Sequence, residues 1–376
     1  MVMPYQHIKR ALMGAVPMLA SSDDQLLITP SQIQPASFDF RLGRKAYDVR
    51  AGALASNKRV ADLLLEEGHC RRELDLEPNN VQLLDRGHTY LVPILESCAL
   101  LRNTFVEFSP KSSTGRCDVY TRILCDNFNQ YDFTPQGYHG PLWAEITPLS
   151  FDIGVRAGLS LVQGRFKTPE TKRLTTAELD DLHQQKGILL DFSGKPLPPR
   201  RVAIEDGEMF FTVDLNREVV GFVARYADTV RQILNLTAED AHWPRDFWEP
   251  IGRPDHGELV LVPGQFYLLV TRERVRVPKS VCGHVLPYKL ASGNFQVHYA
   301  GFFDNGFDGL AVLEVRARDV PFKIHDGQRI CAMAFERTSA VPHRTYRGNY
   351  QNPQPSLSKH FKFREKAWER KHWQAP

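Results

Sequence analysis

Between Pro141 and Thr147 the chain alternates, with Leu142, Ala144 and Ile146 apolar and Trp143 and Glu145 between them. A period of two is that of a β-strand with one face on a core, which puts Glu145 on the opposite face. The same period runs from Ile33 to Gly43, where Phe38, Phe40 and Leu42 alternate with Ser37, Asp39 and Arg41 before a glycine turn. Tyr90 to Leu95 and Thr104 to Phe108 read as further strands. Helical signals are few. Thr171 to Gln185 has a capping-box spacing from Thr175 to Glu178 and a stop at Gly187, and Asp228 to Leu236 predicts a helical insertion before a Trp-rich loop, His242 to Trp248. Asp191 to Arg200, with Ser-Gly, Lys-Pro and Pro-Pro, reads as a linker. Many short strands punctuated by Gly and Pro predict a mainly all-β fold of jelly-roll or barrel type with a few short helices.

Beyond the linker the first half recurs. Phe-Phe-Thr-Val-Asp-Leu at Asp214 echoes Ala-Ser-Phe-Asp-Phe at Asp39 (214 − 39 = 175), and Val-Pro-Gly-Gln-Phe-Tyr-Leu at Gly264 echoes Asp-Arg-Gly-His-Thr-Tyr-Leu at Gly87 (264 − 87 = 177). The apolar stretch ending at Glu314 echoes the one ending at Glu145, and the run ending at Phe335 echoes the run ending at Phe166, both offset by 169 (314 − 145; 335 − 166). The expected organisation is a first domain over 1–190, a second of the same kind over 200–340, and a C-terminal arm and tail over 341–376. The copies differ: where the first has Lys-Ser-Ser-Thr-Gly-Arg, Lys111 to Arg116, the second runs Leu-Pro-Tyr-Lys-Leu-Ala, Leu286 to Ala291, without the serines and the arginine. One copy then does the chemistry, or the two share a composite site.

The Ser109 to Arg116 turn offers hydroxyls, flexible backbone and two cations, the groups that a phosphorylated ligand needs. Glu145, a carboxylate in an apolar strand, has to be paired, hydrated or used in chemistry. A net charge of +3 over 376 residues makes no electrostatic case for nucleic acid. No apolar run approaches the roughly 20 residues that span a bilayer, and the N-terminal stretch is interrupted by His7, Lys9 and Arg10, so a cytoplasmic location is expected. The six cysteines contain no C-x-x-C pair. His256-Gly-Glu258 has the H-x-E spacing of zinc-dependent nucleobase deaminases, but no P-C-x-x-C follows it, which argues against a zinc site.

These residues together resemble the dCTP deaminase and trimeric dUTPase superfamily. The likeness is carried by Ile-Gln-Pro-Ala-Ser-Phe-Asp-Phe-Arg-Leu-Gly, by Ser-Ser-Thr-Gly-Arg, by a hairpin followed by an apolar strand with Glu145 or Glu314, and by the tail Tyr-Gln-Asn-Pro-Gln-Pro-Ser-Leu-Ser-Lys. The strand glutamate points to the deaminase branch. The family turn usually has glycine and arginine where this chain has Pro110 and Lys111. The resemblance implies two tandem dUTPase-like domains that convert dCTP to dUTP and ammonia. Glu145 or Glu314 would take a proton from water so that hydroxide attacks C4 of cytosine. Ser112 and Arg116 would position the water and stabilise developing charge, and Lys111 and Ser113 would approach the phosphates. Asp126, Asp132 and Asp304 are the candidates beside the sugar, and Tyr346, Tyr350, Gln351, Gln354, Ser358 and Lys359 those of an arm that folds over the nucleotide. No zinc or other resident metal is implied; Mg²⁺ would arrive with the triphosphate. Because the family builds its pocket between subunits, Ser112 and Arg116 face either Glu145 or Glu314. A homo-oligomer is expected, a trimer holding six domains. The alternatives are a dUTP diphosphatase using Asp126, Asp132 or Asp304, a bifunctional enzyme, and a catalytically silent nucleotide-binding regulatory protein.

Overall fold

A computed structural model describes residues 1–226, 229–230, 232–286, 295–297, 300–351 and 357–362. Sixteen strands form two matching sets. The first is β1 (Phe38–Phe40), β2 (Lys45–Val49), β3 (Cys70–Asp75), β4 (Thr89–Pro93), β5 (Phe105–Pro110), β6 (Val119–Cys125), β7 (Leu142–Pro148) and β8 (Val162–Lys167). The second is β9 (Glu208–Thr212), β10 (Val219–Ala224), β11 (Trp248–Gly252), β12 (Phe266–Arg276), β13 (Val281–Leu286), β14 (Phe295–Val297), β15 (Asp308–Ala317) and β16 (Arg329–Arg337). The first set pairs as β3-β2-β4-β7-β6 and β1-β8-β5, and the second as β11-β10-β12-β15-β14 with β9-β16-β13 at the centre of its other sheet. The two strand orders are the same, which fits the tandem form. The sheets are open, and among the described residues no closed barrel forms.

The register explains which echoes are structural. Glu145 pairs with Leu91 of β4 and Glu314 with Leu268 of β12, so the offset of 169 on one strand and 177 on its neighbour (268 − 91) are both built into the pairing. The echo between Asp39 and Asp214 is out of register. Asp39 lies opposite Gln163, whereas the residue 169 positions beyond Gln163, Ala332, lies opposite Phe210. Asp214 instead holds Arg217 and the amide of Asn216 just past β9.

Alternation along β7 and β15 decides what each face meets. Leu142, Ala144 and Ile146 enter the first core, with Phe38, Phe40, Val106 and Phe166. Leu313 and Val315 enter the second, with Phe211, Leu269, Met333 and Phe335. The other face of the second sheet, including Phe222, Leu268 and Val312, packs into the first core, so the domains share apolar surface. The other face of the first sheet is covered by its own insertion between β2 and β3, where Val60 and Leu63 pack with Leu91, Leu124 and Trp143. The prediction that Glu145 lies opposite the core holds, but that face is not open to water.

Helix α1 (Thr176–Lys186) forms with the capping box expected at Thr175 and Glu178 and with Gly187 left-handed at its end. Its Leu179, with Leu174, Ile188 and Leu189, packs into the second core, and Leu189–Leu190 pairs with β12. Within Asp228 to Leu236, expected to be helical, no α-helix forms among the described residues: Leu234–Asn235 is a short strand, parallel to Ile153–Gly154 of the first domain. Leu234, Leu236 and Trp248 thereby join the first core, where Phe361 of the arm is fully buried against Phe247 and Trp248. Truncating that ring leaves a cavity between the two domains. Phe361→Ala is expected to destabilise the protein by about 3 to 5 kcal/mol, read as a lower midpoint in urea unfolding.

Candidate active site

The Ser-Ser-Thr-Gly-Arg motif folds as a single helical turn, Ser112–Gly115, directly after β5. Its shape is fixed from within: Thr114 Oγ1 donates to the Leu161 carbonyl at 2.9 Å and the Arg116 amide to the Ser112 carbonyl at 3.2 Å. The turn lies against Glu314 and not against Glu145. A Cβ on Gly115 would sit 2.4 Å from both carboxylate oxygens of Glu314, so only glycine permits this approach. Glu314 is 3% exposed and accepts the Ala300 amide at 3.2 Å. Beside it, the Gly301 amide donates to Ser109 Oγ at 3.0 Å, a hydrogen bond across the domain boundary.

Glu145 has other company. Tyr131 donates its phenol to the carboxylate at 3.1 Å, the Ala53 amide donates at 3.2 Å, and a Cβ on Gly52 would lie 2.6 Å away. The chain's own insertion thus occupies, over Glu145, the place that the Ser112–Gly115 turn occupies over Glu314. Burial raises the Glu145 carboxyl, partly offset by Tyr131.

Next to the turn is a cavity of about 250 Å³. Lys111, Ser112, Ser113 and Arg116 line it from the first domain, Phe302, Phe303, Asp304 and Phe307 from the second, and Tyr346, Tyr350 and Lys359 from the arm. The Arg116 guanidinium stacks on the Tyr350 ring, 3.8 Å from its centroid. Ser358 Oγ donates to the Ser113 carbonyl at 2.9 Å, and the Lys359 amide donates to the Tyr350 hydroxyl at 3.2 Å. Gln351 turns to the Gly306 carbonyl at 3.4 Å, and burial pushes the Tyr346 phenol up to about 12. Lys111 is paired with Asp39 at 2.5 Å, which also accepts from Gln34 at 3.2 Å. An aromatic wall facing three cations suits a planar base joined to phosphates.

Two candidates lie elsewhere. Asp126 accepts the Val60 amide at 2.8 Å and so anchors the first-domain insertion, and Asp132 is paired with Arg122 and the Ile123 amide. Burial pushes the Asp132 carboxyl up to about 6 despite that arginine. Gln354 and most of Leu286 to Ala291 fall outside the described residues. Sequence reasoning missed Asp39, Gln34 and Arg165. An aspartate between two phenylalanines, Phe38 and Phe40, in an alternating strand was a usable signal for the first.

Residues 2–170 match the N-terminal domain, and residues 175–361 the C-terminal domain, of the family described as 2′-deoxycytidine 5′-triphosphate deaminase. The chain belongs to this deaminase family. The crystal structure of 2′-deoxycytidine 5′-triphosphate deaminase from Agrobacterium tumefaciens is similar at a TM-score of 0.80 and 34% identity, over 90% of this chain and 98% of that one. A protein named dCTP deaminase from Acidianus ambivalens is 34% identical over 160 residues, 40% of this chain and 82% of the relative. One from Persephonella marina, named dCTP deaminase, dUMP-forming, is 26% identical over 181 residues, 47% of this chain and 91% of the relative. Both single-length relatives thus cover about half of this two-domain member of the deaminase family.

The arm of this deaminase-family chain is docked through a histidine that resists protonation. His360 Nδ1 lies 2.8 Å from the Ala238 carbonyl, and burial pushes the imidazole down to about 4. His242, beside it, is lowered by the same cause. A ring held below its free value of about 6.5 favours the docked state fully above that pH, and this contribution is lost as pH falls through about 4. Lys359 and Glu239, which also face the ring, act in opposite directions on it. The melting temperature should therefore drop between pH 6.5 and 4 in the wild type and drop less in His360→Gln; equal slopes in the two proteins would contradict this assignment.

Proposed function

We propose that the chain is a hydrolase that converts dCTP and water to dUTP and ammonia at one site per chain, with the phosphate-binding turn of the first domain acting on Glu314 of the second. The observation that carries this reading is the contact of Gly115 with the Glu314 carboxylate, which brings the two halves of the family's chemistry together within one polypeptide. Family membership, both relatives' names and the similarity to the Agrobacterium structure support the reaction.

The nucleotide arrives as its Mg²⁺ complex. Its phosphates displace Lys111 from Asp39 and meet Lys111, Ser113 and Lys359, while the base lies along the aromatic wall. Glu314 takes a proton from water as the oxygen attacks C4 of the cytosine ring. Glu314 gives that proton to N3, then takes the proton of the new C4 hydroxyl and passes it to the amino group, so that the C4–N bond breaks, ammonia leaves and the C4 carbonyl of dUTP forms. Ser112 and Arg116 hold the water and the charge that develops on the ring. Among the described residues, the turn and the glutamate of this site come from one chain.

Release of dUTP is favoured over a further step to dUMP. A diphosphatase step wants an aspartate free to activate water, and the candidate at the cavity, Asp304, accepts from Arg165 at 3.2 Å. Incubation with dCTP and separately with dUTP plus Mg²⁺, scoring ammonia and pyrophosphate, tests this. The expected result is ammonia from dCTP with pyrophosphate from neither; pyrophosphate from dUTP would make the chain bifunctional, and no ammonia would defeat the proposal. Glu314→Gln should lower kcat by about 10³-fold while retaining dCTP binding, and Glu145→Gln should stay within about threefold of wild type. The reverse pattern would move the site to Glu145.

A further inference from the structure

Two residues beyond each half of the site, one step further from the cavity, the domains meet again. Asp118 lies two positions after Arg116, and Arg316 two positions after Glu314 on the same face of β15. The Asp118 carboxylate is fully buried, and both of its oxygens face the Arg316 guanidinium: Nε donates to Oδ1 at 3.2 Å, and Nη2 is paired with Oδ2. Ser150 Oγ donates to Oδ2 at 2.5 Å, and Arg316 Nη1 donates to the Gly264 carbonyl at 3.0 Å. Asp118 itself is left-handed (φ 56°), a conformation that aspartate tolerates better than most residues, and its amide donates to the Gly115 carbonyl at 2.9 Å.

We propose that Asp118 and Arg316 are positioning residues that set the register of the Ser112–Arg116 turn against Glu314; the inference rests on the site assignment made above. The argument is geometric. The turn and the glutamate come from different domains, and Gly115 leaves no room for error at their contact. A bidentate guanidinium–carboxylate pair fixes direction as well as distance, which shared apolar surface does not. One end of the pair is bonded to the backbone of the turn through Gly115, and the other is on the strand that carries the base. Neither side chain lines the cavity, so the pair acts on the reaction through the groups it aligns.

The test uses full-length Asp118→Asn, Arg316→Lys and Arg316→Met, each assayed well below its own melting temperature with dCTP and Mg²⁺. Dissociation constants for dCTP are measured in parallel in a Glu314→Gln background. The expected result is a 10- to 100-fold fall in kcat for Asp118→Asn and Arg316→Met, with KM and the dissociation constant within threefold of their references. Arg316→Lys should recover part of kcat. A purely structural role would lower the melting temperature and leave kcat per folded molecule unchanged, and that outcome overturns the proposal. So does a loss confined to KM. Should Asp118→Asn fail to fold, the Lys and Met variants at Arg316 decide alone. Turnover that survives in Glu314→Gln defeats the site assignment; turnover lost there but kept in the Asp118 and Arg316 variants defeats only the positioning role.

Discussion

A buried guanidinium fixes how the two halves of this protein meet. Arg165, on β8 of the first domain, is fully buried and cannot shed its charge, so every contact has to come from protein. It donates to the Gly283 carbonyl at 2.9 Å, to the Phe303 carbonyl at 3.0 Å and to Asp304 at 3.2 Å, and it lies 4.1 Å over the Phe302 ring. All four partners belong to the second domain, and three are in the hairpin that lines the cavity. Two residues along the same strand, Lys167 is paired with Glu107 of its own domain and with Glu336 of the other, while His284 approaches Glu107 at 3.3 Å. Against burial, which would raise it, His284 and Lys167 hold the Glu107 carboxyl well below its ordinary range. An apolar interface can slide at little cost, whereas this ladder has one register. The contact between Gly115 and Glu314 is consequently in place before any ligand arrives.

The same insertion point serves two purposes. Both domains carry extra chain between the second and third strands of their set, after Val49 and after Ala224. In the first domain that chain folds back over its own sheet, buries Val60 and Leu63, and closes on Glu145. In the second it reaches across to the first domain through Leu234 and grips the end of the arm. The sheet face bearing Glu314 is thus left for the first domain to cover with its turn. A duplicated fold with two potential sites has one sealed by its own loop and the other completed by its neighbour.

Much of this was legible in the chain. Period-two alternation located β1 and β7, and three of four echoes matched the strand register, because a buried face on each side of a sheet fixes pairing strongly. The motif turn and Glu314 could both be named, as could the arm tyrosines. What alternation could not decide was which glutamate the turn would meet, since Glu145 and Glu314 occupy equivalent strands. That choice is made by the loop after Val49, whose sequence has no periodicity to announce that it folds onto its own sheet. The polar interface was hidden for a similar reason. Arg165 and Lys167 alternate with Gly164 and Phe166, the pattern of a strand with one face on water, and only the tertiary structure shows that the face they present meets another domain. The stretch Asp228 to Leu236 reads as a helix in sequence, whereas Leu234–Asn235 is held by strand pairing and Leu234 and Leu236 are buried in the first core.

The arm completes the same logic of preorganisation. It is fixed on both sides of the cavity, at Tyr346, whose amide donates to the Asn305 carbonyl at 2.9 Å, and again from Leu357 to Phe361, where Leu357 and Phe361 are fully buried. A free tail would have to be ordered at the expense of binding energy, at about 0.5 to 1.5 kcal/mol for each side chain immobilised. Here Lys359 and Tyr350 already stand at the cavity, with Arg116 stacked on the tyrosine, so most of that cost is met by folding. The rearrangement left for the nucleotide in the proposed site is electrostatic: Lys111 must exchange Asp39, and Lys359 must exchange Glu239, for phosphate. Both lysines proposed to meet the phosphates are held by carboxylates before a ligand arrives, so in the proposed site a more highly charged ligand displaces these pairs more readily than a weakly charged one.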